Sequence, residues 1–345
     1  MDFRFTEDQL MMAETARKLF ADTATSTQLR TMLANGMARD EARWSKIVET
    51  GLTLTMLPDA AGGLGLAEAD FVLIAEAAGY AALPEPLVES AGIATPLLAA
   101  IDPAHEALNN PADTLAIGHA INPYIADADT AAALLLHHEG ATYLRHPNEV
   151  RLIRQESLDP FRRLFKVEWE PAGEPLSTDP DLWHDTLDRG ALFMAAQCLG
   201  LAQRAIDIAV EYAKTREQFG KPIGTYQAVK HLLASAQVQV EFARPVVHAA
   251  AIGLMQRDAF SRARISHAKI IATEAADAST RVALQVHGAM GYSWEVDVHF
   301  LLKRSLALNT AWGGPGFHHD RVLARLHAAP TGPEYGFAHS SDMEL

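Results

Sequence analysis

The sequence predicts a mainly α-helical protein with a small β-domain in its middle, and three observations carry that reading. Apolar residues recur at helical spacing through roughly the first hundred residues. Between about Pro103 and Pro180, short apolar runs alternate with turn formers and show no long helical period. From about Leu182 to Arg325 long helical patterns return. The expected division is an N-terminal helical domain over 1–102, a shortened middle β-domain over 103–180, a C-terminal bundle of four or five helices over 181–329, and a tail over 330–345.

In the first region, Thr6 followed by Glu7 and Asp8 opens a helix, and Trp44, Ile47, Val48 and Leu52 repeat at helix spacing. Gly62-Gly63-Leu64-Gly65 interrupts the pattern and reads as a tight turn that lets helices pack closely. No strand precedes it and no glycine follows three residues after Gly65, so it does not fit a nicotinamide-dinucleotide loop. Ala67 to Tyr80 is apolar at Phe71, Ile74 and Ala78, and Pro84-Glu85-Pro86 should end that helix and start another. In the middle region Ala131–Leu136 and Leu164–Trp169 read as strands, and so short a region forms only a few of them. The later helices are separated by Gly220-Lys221-Pro222, by a polar stretch near Asp258, and by Gly288 to Tyr292. Pro245 predicts a kink or a helix boundary. From Pro330 the chain mixes Pro, Gly, Ser and acids, and predicts poor order unless a partner holds it.

The 345 residues carry 29 basic against 43 acidic side chains, a formal charge of −14 that argues against a nucleic-acid surface. A local basic pocket for a phosphorylated ligand remains compatible with it. Cys198 is the sole cysteine, so no intrachain disulfide forms and a zinc-thiolate cluster is excluded. His137-His138 and His318-His319-Asp320 lack the spacing of a metal site. Met1-Asp2-Phe3-Arg4 has no basic head with an apolar run, and no uncharged stretch is long enough to cross a bilayer. The expectation is a soluble, cytoplasmic protein.

Two segments carry chemistry. Thr215-Arg216-Glu217-Gln218-Phe219-Gly220-Lys221-Pro222-Ile223, followed by Gln227, offers an Arg fork for a diphosphate and an aromatic ring for packing. Gln285-Val286-His287-Gly288-Ala289-Met290-Gly291-Tyr292 offers Gly288 and Gly291, where backbone N–H groups can approach a nucleotide. Read alone, Arg216 and Gln218 could equally be surface residues at a helix end.

Together, the two segments resemble the acyl-CoA dehydrogenase family patterns R-x-Q-F-G-x-x-I-x-x-x-Q and Q-x-x-G-G-x-G-Y, with Ala289 in place of the middle glycine. Trp44 to Leu52 and Pro58 to Leu66 resemble that family's N-terminal W-x-x-L-x-x-x-G-L and P-E-x-x-G-G-x-G segments. The resemblance covers nearly the whole chain. It implies an acyl-CoA dehydrogenase-like fold, FAD as cofactor and an acyl-CoA thioester as substrate. It places Arg216, Gln218, Phe219, Gln285, Gly288 and Gly291 on FAD across a subunit interface, which implies an oligomer.

The same resemblance exposes losses. The reaction takes the α-proton of a thioester with a carboxylate while the β-hydrogen leaves as hydride to the flavin. The family's base is usually the Glu of a Y-E-G-T segment, where this chain reads Trp312-Gly313-Gly314-Pro315. A minority carries it in the first bundle helix, at the position of Gly190, with Asp188 two residues away. The T-E-P-x-x-G-S-D segment that lines flavin and substrate has no counterpart after Asn122-Pro123-Tyr124, although Ser157 to Leu164 resembles the later part of that domain. These losses resemble the short subunits of heterotetrameric acyl-CoA dehydrogenases of bacterial steroid side-chain breakdown, in which a second acyl-CoA dehydrogenase-type chain supplies the base. Two other readings stand beside that one. One is a self-sufficient enzyme with a displaced base at Asp188, Asp320 or His318; the other is a structural subunit that binds neither flavin nor thioester.

Overall fold

Thr6 starts the first helix as its sequence signal predicts: its hydroxyl accepts from the Gln9 amide at 3.2 Å, and the Gln9 side chain accepts from the Thr6 amide at 2.9 Å. The computed structural model describes residues 4–37, 39–254 and 259–328; the stretch near Asp258 and the tail from Pro330 lie outside them. Helix α1 (Glu7–Thr23) is followed by α2 (Ser26–Ala34) and α3 (Glu41–Glu49), the last burying Trp44 and Ile47. Leu52 falls in a short 3-10 turn after α3 rather than on its face. The Gly62–Gly65 turn is tight against its own loop, because a Cβ on Gly63 would overlap the Leu57 carbonyl. It therefore brings loop onto loop, not helix onto helix. Helix α4 (Glu68–Tyr80) ends before Pro84, and after Pro86 a π-helix (Val88–Ala94) runs directly into α5 (Thr95–Ile101).

The middle region holds six short strands: β1 (Leu115–Gly118), β2 (Tyr124–Ala126), β3 (Ala133–His138), β4 (Ala141–Arg145), β5 (Arg151–Gln155) and β6 (Leu164–Glu168). They form two three-stranded sheets, β1-β3-β4 with β1 parallel to β3, and β2-β6-β5, which is antiparallel. Alternation along β3 divides its side chains between two cores. Leu134 and Leu136 join Ile125 and Phe165 in a core between the sheets, while Ala133 and Leu135 join the main helical core.

Five helices make the C-terminal part: α6 (Pro180–Thr215), α7 (Gln227–Gly253), α8 (Ala259–His287), α9 (Val298–Thr310) and α10 (Pro315–Ala328). Pro245 lies inside α7, which continues through it, so no helix boundary forms there. Every residue of α6 from Gly190 to Ala202 is buried, Cys198 among them. By length and composition α6 is the one described helix able to cross a membrane, yet 72% of its most apolar window is buried inside the protein, as a core helix requires. It packs along α4 at two glycines, since a Cβ on Gly79 would overlap the Gln197 carbonyl and one on Gly200 the Glu76 carbonyl. Helices α6 and α8 run parallel, with Asp188 3.7 Å from Arg262 near their starts and the Tyr212 and His287 rings 4.1 Å apart near their ends.

Two buried cations fasten α9. Lys269 of α8 donates to the Leu308 carbonyl at 2.5 Å, where the negative helix end suits a cation, and burial lowers its pKa to about 8. Arg304 pairs with Asp159 of the β region and donates to the Leu83 carbonyl at 3.0 Å, so one guanidinium joins all three regions. Because α4 and α6 have no slack at Gly200, Gly200→Ala should destabilise the protein by about 1–3 kcal/mol, the usual cost of overpacking. A urea midpoint equal to that of the parent would show that the two backbones are not in contact there.

Candidate functional site

The first motif begins where α6 stops. Arg216 leaves the helix in an extended conformation, and the chain turns back in a two-stranded hairpin, β7 (Glu217–Gln218) and β8 (Lys221–Pro222). Phe219 and Gly220 form its tip with φ of 54° and 78°, the paired positive values of a tight hairpin turn. Tyr226 steadies this turn by donating its hydroxyl to the Gln218 carbonyl at 3.0 Å. Arg216 and Gln218 are exposed, and Phe219 is 94% exposed, so a bulky aromatic stands in a costly conformation at a surface tip.

The second motif lies beside it. Gln285 is exposed near the end of α8, and Gly288 ends the helix with φ 58°. The Tyr212–His287 ring stack ties this end to the last turn of α6, so the two motifs share one end of the parallel pair. Both helices present their negative C-terminal ends here, and Arg216 supplies the positive charge an anion would need. Gly291 behaves differently. It is buried, and a Cβ on it would come within 2.8 Å of the Leu284 carbonyl, so its close approach is to its own chain.

The two glycines that stand where the resemblance would put the base, Gly190 and Gly313, come together at Trp312. Trp312, 5% exposed with φ 58°, lays its indole on α6 where a Cβ on Gly190 would overlap it. The next residue, Gly313, has φ 103°, and a Cβ there would overlap the Phe317 ring and lie 2.9 Å from His318 Nε2. Neither position has room for a carboxylate. The indole continues into a row of rings that crosses to the β region: His119 is 4.4 Å from Trp312, Trp183 is 5.7 Å from His119, and His137 stacks on Trp183 at 3.8 Å. Burial pushes His119 and His137 down to about 4, so both rings are neutral at neutral pH.

Beside this row, a cavity of about 30 Å³ is lined by Glu89, His119, Asp127, Arg162 and Trp312. It has room for a water molecule and not for a flavin ring. Asp127 is pushed up to about 7, first by burial and then by the Glu89 carboxylate. A carboxyl poised near 7 is a base by chemistry, but its cavity admits no thioester.

The displaced-base candidates are placed less favourably. Asp188 is 6% exposed and held by Arg321 and Arg262; burial raises its pKa while the two guanidiniums oppose that rise. His318 is buried with both nitrogens engaged: Nε2 donates to the Trp312 carbonyl at 3.1 Å and Nδ1 accepts from Ser266 at 3.2 Å. Burial pushes its pKa down to about 3. Asp320 is exposed on α10. Sequence reasoning singled out Gly190 and Gly313 but missed Trp312 and the His119, Trp183 and His137 rings. The available signal was the large aromatic immediately before the Gly313-Gly314 pair.

Comparison with known proteins agrees with this architecture. Residues 6–102 match the acyl-CoA dehydrogenase N-terminal domain and residues 181–327 the acyl-CoA dehydrogenase C-terminal domain. The acyl-CoA dehydrogenase IpdE2 of Mycobacterium tuberculosis is 33% identical, over 87% of this chain and 91% of its own length. The fold is similar to a chain of the ChsE4-ChsE5 complex from Mycobacterium tuberculosis, with a TM-score of 0.84 and 21% identity, covering 96% of this chain and 100% of that one. It is also similar to a chain of the Tcur3481-Tcur3483 steroid ACAD, with a TM-score of 0.82 and 23% identity, covering 93% of this chain and 98% of that one. With both domains in order and a relative one-third identical along most of its length, the chain belongs to the acyl-CoA dehydrogenase family, whose cofactor is FAD.

Proposed function

We propose that this chain is the base-lacking subunit of a heteromeric acyl-CoA dehydrogenase that desaturates an acyl-CoA thioester between Cα and Cβ. A second chain of the same family supplies the carboxylate and the flavin ring site. The observation that carries this reading is the Trp312 indole, which fills the space in front of Gly190 and precedes a Gly313 that cannot carry a side chain without strain. The chemistry FAD supplies when bound is acceptance of the β-hydrogen as hydride.

The two ends of that cofactor fare differently here. The ring end does not fit, because the junction beside Trp312 is closed by packed aromatics. The phosphate end fits: Arg216, Gln218, Phe219, Gln285 and Gly288 face outward from one end of α6 and α8. Gly291 supports that end from within, by keeping the turn after α8 close to Leu284. A scaffold that binds nothing has no use for an exposed phenylalanine in a strained hairpin tip. The relatives support the rest of the reading, since ChsE4-ChsE5 is a complex and Tcur3481-Tcur3483 is a steroid enzyme. A steroid side-chain CoA ester is the corresponding substrate, and a heterotetramer the corresponding assembly.

In such an assembly Arg216→Ala should weaken flavin retention about ten- to a hundred-fold, the worth of a charge-assisted Arg–phosphate bond. Unchanged flavin content on dilution would make Arg216 a helix-end surface residue. Restoring a carboxylate by Gly313→Glu should give no active lone chain, because the base lacks a positioned acceptor and the site lacks room. The check is acyl-CoA-driven bleaching of flavin absorbance. Bleaching by the lone Gly313→Glu chain, or full-rate bleaching by a complex whose partner has lost its own base, would contradict the division of labour.

A further inference from the structure

A cavity of about 730 Å³ opens between α1, α2, α4, α6 and α9, within the size range of small-molecule sites. On α6 it is lined from Gly200 to Ile208, about 15 Å along the axis from Gly190 and about 12 Å short of Arg216. It belongs to neither end of the site described above. Much of its wall is apolar, with Phe20, Leu29, Phe161 and Phe300 among the lining residues.

Four arginines line the same space, and their charges are not balanced. Arg244 is neutralised by Glu76 at 2.5 Å and Arg30 by Asp297 at 2.5 Å. Arg17 is more loosely held: it lies 3.8 Å from the exposed Glu14 and feels the Glu76 carboxylate that Arg244 already grips. Arg204 lies 5.4 Å over the Tyr80 ring, and the Tyr80 hydroxyl donates to Asp207 at 2.9 Å. The Arg204 side chain also hydrogen-bonds the Tyr80 hydroxyl, so Asp207 reaches it through Tyr80 and no direct ion pair is seen for it among the described residues. The cavity lining thus holds four guanidiniums against two carboxylates, Glu76 and Asp297, and Arg204 is already oriented by the Tyr80 ring.

We propose that this cavity binds an amphipathic anion: an apolar body with one carboxylate or phosphate head, the head taken by Arg17 and Arg204. A guanidinium fork matches either head with paired N–H donors, and the apolar wall takes the body out of water. The proposal is independent of the reading of Gly190, Gly313 and Arg216.

Isothermal titration of the full-length chain with decanoate, decyl phosphate and decanol tests it. Saturable binding of at least one anion, with none by decanol at equal concentration, is the expected result. Preference for decanoate identifies a carboxylate head, and preference for decyl phosphate a phosphate head. Arg17→Gln and Arg204→Gln should each weaken binding about ten-fold, one charge-assisted bond apiece. Ala81→Phe should abolish binding by filling the cavity that Ala81 lines. Arg17 is half-exposed, so its variant tests the idea even where the other two perturb folding. Binding of decanol as tightly as decanoate, absence of any anion binding, or affinity unchanged in both arginine variants would overturn it.

Discussion

The rest of this molecule is arranged around the complete burial of the middle of α6. From Gly190 to Ala202 every residue is buried, so helices or loops close around that stretch. Close-packed interiors tolerate neither voids nor overlap, and α6 meets that demand with glycine where neighbours come nearest. At Gly200 it admits the backbone of α4, and at Gly190 the indole of Trp312. The same helix carries both halves of the functional question. Gly190 and Arg216 are about 39 Å apart along it, farther than one dinucleotide reaches. A cofactor touching Arg216 therefore belongs to a different place from any ring that could face Gly190, which is why the hairpin is read as serving a neighbouring chain.

Buried charge reinforces this arrangement, and it decides which groups cannot act as bases. Arg304 holds Asp159 and the Leu83 carbonyl, and removing such a partner leaves an uncompensated charge in the interior. Asp188 stands in the same relation to Arg321 and Arg262. A carboxylate committed to two guanidiniums and enclosed by packing is a structural group. His318 is likewise spent on a hydroxyl and a carbonyl. What remains near the closed junction is Asp127, chemically poised but facing space for water alone.

Much of this was legible in the sequence because it is local. The Thr6 cap, the proline-bounded end of α4, the strands around Leu134 and Phe165, and the two motif segments each announce themselves within a few residues. What stayed hidden depends on partners distant in sequence. The parallel pairing of β1 with β3, the tie from Arg304 to Asp159, and the stack from Trp312 through His119 to Trp183 join segments that no periodicity connects. Pro245 shows the converse. Its local signal allows a boundary, yet packing against α8 and α6 carries α7 through it. The Gly62–Gly65 turn was recognised as tight, but its neighbour, the Leu57 backbone, emerges only in three dimensions.

The most direct test is flavin stoichiometry, measured from absorbance and chain mass on the chain alone and on its complex with a base-bearing family member. If Trp312 closes the ring site, the lone chain purifies with little flavin, and the complex carries one flavin for each partner chain and none for this one. Stoichiometric flavin with turnover in the lone chain, or one flavin for every chain in the complex, would contradict it.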